Sequence, residues 1–146
     1  MRFPGGLAKA LTLSYDDAVE QDFRLIDIMK AYGLKGTFNI SSDQYIPEGF
    51  EYPPEKTWGQ RMTRERATAL YSQDGIEPAL HAYTHAHLQT MSNPQIAYEI
   101  IKNRETLEEQ FGRIVRGMAY PYGTYSDEVV RVLRECGIVY ARTTKA

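Results

Sequence analysis

At 146 residues and 42% hydrophobic, the chain holds the material for one ordinary domain with a single core, and it is read as one domain over residues 1–146. Its 17 basic and 19 acidic side chains leave a formal net charge of -2 without long runs of either sign, which excludes the positive stripe that a nucleic-acid backbone requires. Cys136 is the one cysteine, which excludes an internal disulfide and a thiolate metal cluster, so any bound metal must be held by histidine and carboxylate.

In chain order, the short and mostly apolar run 10–15 predicts a buried strand that delivers Asp16 and Asp17 at its carboxyl end. Apolar residues at Phe23, Leu25, Ile26, Ile28 and Met29 predict a helix over 19–32, stopped at Gly33, and 36–40 follows as a second strand. Residues 41–60 are rich in Pro, Gly and Ser and show no period, so they are expected as a long loop of the kind that carries function. A helix over 63–73 closes near Gly75 and feeds a third strand, 76–80, which runs straight into the histidines. Ser92 and Gln95 form a helix-start signature, Ile96, Ile100, Leu107 and Phe111 an apolar stripe, and Gly112 a stop. A fourth strand over 114–119, a helix capped by Ser126 and bearing Val129, Val130, Val132 and Leu133, and a fifth strand over 138–141 complete the series, and Cys136 is expected as a buried helix residue.

Strand and helix in alternation favour a parallel sheet with helices outside it, as an open α/β sheet or a β/α barrel, and both place chemistry at the carboxyl ends of strands. No segment approaches the roughly 20 apolar residues of a membrane span, and the first residues lack a signal-peptide core. The chain as given is therefore expected to be cytoplasmic, with secretion or surface placement open if its ends have been trimmed. The 11 tyrosines hint at rings for stacking on sugars, although buried rings explain the count equally well.

Three segments carry chemistry. Adjacent carboxylates cannot both point one way, so one of Asp16 and Asp17 can bind a metal while its neighbour faces a substrate. His81-Ala82-Tyr83-Thr84-His85 places two imidazoles four residues apart, a spacing that converges on one ion if the segment forms a helical turn, and an aspartate makes this a three-ligand site with an open position. Ala82 stands where the zinc-protease helix requires glutamate, so that reading fails. His87 has no ligand role and is expected at the surface or behind the ligands. Ala119-Tyr120-Pro121-Tyr122-Gly123 reads as a rigid turn whose amides can face a ligand.

In this order and separation, the three segments resemble the motifs of the polysaccharide deacetylases with a NodB-homology domain, carbohydrate esterase family four. Ser14-Tyr15-Asp16-Asp17-Ala18 is similar to that family's Thr-Phe-Asp-Asp-Gly, and the histidine segment to His-Ser/Thr-x-x-His. The third segment is similar to Arg-x-Pro-Tyr-Gly, with Ala119 in place of the arginine that steers the base. The resemblance implies Asp16 as catalytic base, Asp17, His81 and His85 as metal ligands, the Tyr122 amide as oxyanion donor, and Tyr120 and Pro121 at the substrate. It leaves Asp16 to be oriented by another group, for which Arg142 near the last strand end is the candidate.

The fold it implies is a distorted (β/α) barrel, incomplete at the C-terminal end, because the family's later motifs, including a general-acid histidine, fall beyond Ala146. The absent strands are then missing, swapped or replaced at a homo-oligomer interface that completes the barrel. One divalent ion is expected, zinc by its His2Asp donors, with cobalt, nickel or manganese fitting the same ligands. The implied activity is removal of acetyl groups from N-acetylated, glucosamine-containing polysaccharide. The alternatives are a catalytically impaired metal- and glycan-binding domain, and an O-acetyl-xylan esterase using the same site.

Overall fold

Residues 3–145 are described by the structure, a computed structural model. The described residues contain strands β1 (Ser14–Asp16), β2 (Gly36–Ile40), β3 (Ile76–Leu80), β4 (Gly117–Ala119) and β5 (Tyr140–Arg142). Between them lie α1 (Gln21–Ala31), α2 (Arg64–Tyr71), α3 (Asn93–Phe111) and α4 (Asp127–Glu135). The strands pair in sequence order, all parallel, with one α-helix in the connection between each neighbouring pair.

Alternation along the strands sorts the sheet into two faces. Phe38, Ile40, Leu80 and Met118 point outward and are buried under the helices with Ile26, Leu70, Ile100, Leu107 and Val129. The other face carries Ser14, Asp16, Thr37, Asn39, Glu77, Tyr140 and Arg142. Neighbouring strands sit about 4.8 Å apart, so a flat sheet would separate β1 from β5 by about 19 Å. Arg142 of β5 nevertheless touches Asp16 of β1. The sheet is therefore curled into half a barrel with its polar face inside, and the expected α/β fold, an incomplete (β/α) barrel, is what the chain adopts.

Helix ends follow their signals. The Thr63 and Ser126 hydroxyls accept from the third residue onward, Arg66 N at 3.3 Å and Val129 N at 3.3 Å. Ser92 and Gln95 form the expected capping box, and Gly112 closes α3 in the left-handed conformation at φ 61°.

Strand bounds differ more. The first strand begins at Ser14 rather than at residue 10, because β2 starts at Gly36 and offers nothing for residues 10–12 to pair with. The fourth begins at Gly117 rather than 114, with Ile114 75% exposed, and the fifth is shifted to Tyr140–Arg142. Cys136 is half-buried at the residue that follows α4, not buried within the helix. No helix among the described residues is long and apolar enough to cross a membrane.

Candidate metal centre

The β1 strand ends at Asp16, and the chain turns at once through Asp17 and Ala18, both left-handed at φ 81° and 51°. This turn separates the two carboxylates. Asp16 stays on the inner face of the sheet, where Arg142 Nη2 lies 2.5 Å from each of its oxygens and Asn39 Nδ2 donates to Oδ1 at 3.0 Å. Asp17 turns towards the histidines, and its Oδ1 lies 3.6 Å from His85 Nε2.

The long loop supplies a cation that the sequence did not reveal. Its returning end pairs Met62 N with Ala18 O at 2.9 Å and Glu20 N with Gln60 O at 2.8 Å, anchored by the fully buried Met62. That pairing delivers Arg61, which donates to the Asp17 carbonyl at 3.1 Å and to its Oδ1 at 2.9 Å. An isolated arginine in an aperiodic loop gives no signal of such a role.

The histidine segment is not the helical turn that the four-residue spacing suggested. It is an open turn with left-handed Ala82 (φ 57°) and His85 (φ 60°), and it still brings the rings to a centroid distance of 4.7 Å. Helix α3 holds it there: the buried Glu99 accepts from Thr84 N at 2.8 Å and Thr84 Oγ1 at 2.9 Å, while Asn103 Oδ1 accepts from His81 N at 3.1 Å. The signal for this role in the sequence is a pair of polar residues four apart, Glu99 and Asn103, on the covered face of an amphipathic helix.

His81 Nδ1 lies 2.8 Å from the Ala119 carbonyl. The imidazole N–H therefore donates there and Nε2 is left as the ligating atom. Burial, together with the neighbouring His81, holds His85 below the usual histidine pKa, so the ring is neutral and its lone pair available at neutral pH.

Asp17, His81 and His85 each offer one ligand atom, and these lie within 4.8 Å of one another, a group that stands alone among the described residues. Two imidazoles and a carboxylate are a donor set that fits a divalent ion, and the contacts His81 to Ala119 and Asp17 to Arg61 are of the kind that orient such ligands from outside.

The third segment closes the other side. Tyr120 and Pro121, expected at the substrate, are buried, with Tyr120 stacked on Tyr125 at 5.3 Å, so of the three residues Tyr122 is the one with an exposed side chain. Tyr122 is left-handed at φ 60° and 54% exposed, and its ring stacks on the exposed His87 at 3.7 Å and meets the edge of His85 at 4.7 Å.

The sequence pattern of the family described as polysaccharide deacetylase matches residues 5–141. The protein YxkH of Bacillus subtilis is 21% identical over 140 residues, covering 94% of this chain and 45% of that protein. Among solved structures, the polysaccharide deacetylase BC0361 of Bacillus cereus superposes with a TM-score of 0.78 at 19% identity, over 96% of this chain and 42% of that one. The deacetylase PplD of Streptococcus pyogenes gives 0.74 at 20% identity, over 90% and 54%. BA3943 of Bacillus anthracis, a pseudoenzyme of carbohydrate esterase family four, gives 0.70 at 22%, over 90% and 42%. The chain thus spans about half the length of the relatives it matches. With the pattern matched over nearly its whole length and the half-barrel shared, this chain belongs to the polysaccharide deacetylase family.

Proposed function

We propose that the chain is a metal-dependent hydrolase that removes acetyl groups from N-acetylglucosamine units of a polysaccharide or oligosaccharide. The observation that carries this reading is the meeting of Asp17, His81 and His85 within 4.8 Å, beside an Asp16 that is held apart from them by Arg142. When bound, a divalent ion, zinc by the donor set, supplies Lewis acidity to an acetamide carbonyl and to a water. The chain does the rest. Asp16 takes the proton of the attacking water, the Tyr122 backbone amide donates to the oxygen on which negative charge develops, and the protonated Asp16 returns its proton to the amine nitrogen as the C–N bond breaks and acetate leaves. The exposed Tyr122 ring on His87 offers a flat face to a pyranose.

Acetate release from N-acetylglucosamine oligomers, measured for the wild type and Asp16→Asn with the metal site loaded, tests the proposal. Loss of the base is expected to slow release by about 10²- to 10⁴-fold. Equal rates would instead support a non-catalytic metal- and glycan-binding fold, the reading favoured by Ala119 in the arginine position and by the likeness to BA3943. A parallel assay on O-acetylated xylan assigns the leaving group, since the ester reaction would use the same residues.

A further inference from the structure

We infer that Arg142 is the positioning residue for Asp16, acting from β5 in place of the arginine that the family resemblance puts at position 119. The inference rests on the proposed hydrolase reading and adds a residue to it. Ala119 and Arg142 are ladder partners in the β4–β5 pairing, so their side chains leave the same face of the sheet at the same level. The guanidinium has moved one strand sideways.

The contacts of Arg142 are those of an aiming device. Its Nη2 is 2.5 Å from both oxygens of Asp16, and its Nε donates to Ser14 Oγ at 3.0 Å. Asn39 Nδ2 donates to the same Ser14 hydroxyl at 2.9 Å and to Asp16 Oδ1 at 3.0 Å. Arg142 of β5, Asp16 and Ser14 of β1 and Asn39 of β2 therefore form a closed circuit of hydrogen bonds, which fixes the carboxylate in rotation as well as in place. The Arg142 backbone is itself held, its carbonyl accepting from Tyr120 N at 3.0 Å.

Each of the two adjacent carboxylates thus has its own guanidinium, Arg61 on Asp17 and Arg142 on Asp16. This division keeps the base from swinging into the donor set. A planar fork is required, because a lysine ammonium cannot reach Asp16 and Ser14 in one fixed geometry.

The test compares wild type, Arg142→Ala and Arg142→Lys for acetate release, zinc affinity by calorimetry and thermal melting. Misplacement of the base is expected to lower kcat by about 100-fold in Arg142→Ala. KM and zinc affinity stay at wild-type values, Arg142→Lys does not recover the rate, and added guanidinium chloride restores part of it where sodium chloride does not. A kcat near that of the wild type, or a loss confined to KM or zinc affinity, overturns the inference. In melting experiments, the shifts caused by Arg142→Ala and Asp16→Asn are expected to be non-additive in the double variant, and additive shifts overturn the pairing itself. A wild type that releases no acetate while the melting shifts remain coupled overturns the hydrolase reading and the aiming role with it, so the two failures are told apart.

Discussion

Asp17, Ala18, Ala82, His85 and Tyr122 are the non-glycine residues with left-handed backbones among the described residues, and all five lie in the three site segments. Such conformations cost about 1 kcal/mol or more each and persist where the surroundings over-determine them. Ala82 is fully buried, and a β-branched side chain tolerates its φ far less than alanine does. Ala82→Val is therefore expected to lower the melting temperature and the bound zinc per chain by elemental analysis, whereas Ala82→Gly keeps both.

A second residue of note is Asp22, 4% exposed, which accepts from Tyr71 Oη at 2.6 Å. Burial raises its pKa from 3.8 to about 6, against the lowering effect of the Tyr71 bond, and the charges of Asp17 and Asp16 raise it further. The folded state then binds a proton that the unfolded chain has released, so stability from this group is present below pH 4 and is lost as pH rises to about 6. At about 1.4 kcal/mol per pH unit the loss is about 3 kcal/mol. Asp22→Asn keeps an acceptor for Tyr71 and should remove that fall, so denaturant titrations of variant and wild type are expected to diverge from pH 4 to 6 in the variant's favour.

At the scale of elements, α3 both packs and aims. Its apolar stripe of Ile96, Ile100, Leu107 and Phe111 joins the core, while Glu99 and Asn103 on the same covered face bolt down the histidine turn. Removing Glu99 takes from Thr84 the charged acceptor of its amide and hydroxyl, a loss of about 1.5–3 kcal/mol. Because Thr84 sits between the two histidines, Glu99→Ala is also expected to weaken zinc binding by about 10- to 100-fold in calorimetry. Ser92→Ala separates the two duties of the helix: loss of the capping box should cost about 1 kcal/mol in denaturant unfolding and leave zinc affinity at the wild-type value.

For the whole molecule, the candidate donor set ties together Asp17, His81 and His85, from the turns that follow β1 and β3, and Arg142 adds a tie between the edges of the half-barrel. An ion held by that set binds the native chain and has no comparable site in the unfolded one. Zinc at about 100 times its dissociation constant is expected to stabilise the fold by about 2.7 kcal/mol. Calorimetric scans should show a higher melting temperature with zinc, its reversal by chelator, and no response in His81→Ala. A zinc response retained in His81→Ala would show that the ion binds elsewhere.

The amino-acid sequence by itself determined what depends on neighbours along the chain. Alternating apolar runs and helix signals at Ser92, Ser126, Gly33 and Gly112 made a parallel α/β fold legible, and β2 and β3 lie where the runs predicted them. Asp16, Asp17, His81 and His85 were legible because each motif is only a few residues long. The tertiary structure alone decided the extents of β1, β4 and β5, since a strand exists only where a partner runs beside it. It also decided that the histidine segment is an open left-handed turn rather than a helical one, that Arg61 supports Asp17, and that Glu99 and Asn103 brace the turn. Arg142 stands between the two cases: its proximity to a strand end could be read from the chain, but its hold on Asp16 across 126 residues depends on the curl of the sheet. Contacts of that kind leave no periodic trace in the sequence, because they are made by side chains whose spacing along the chain is unrelated to their distance in space.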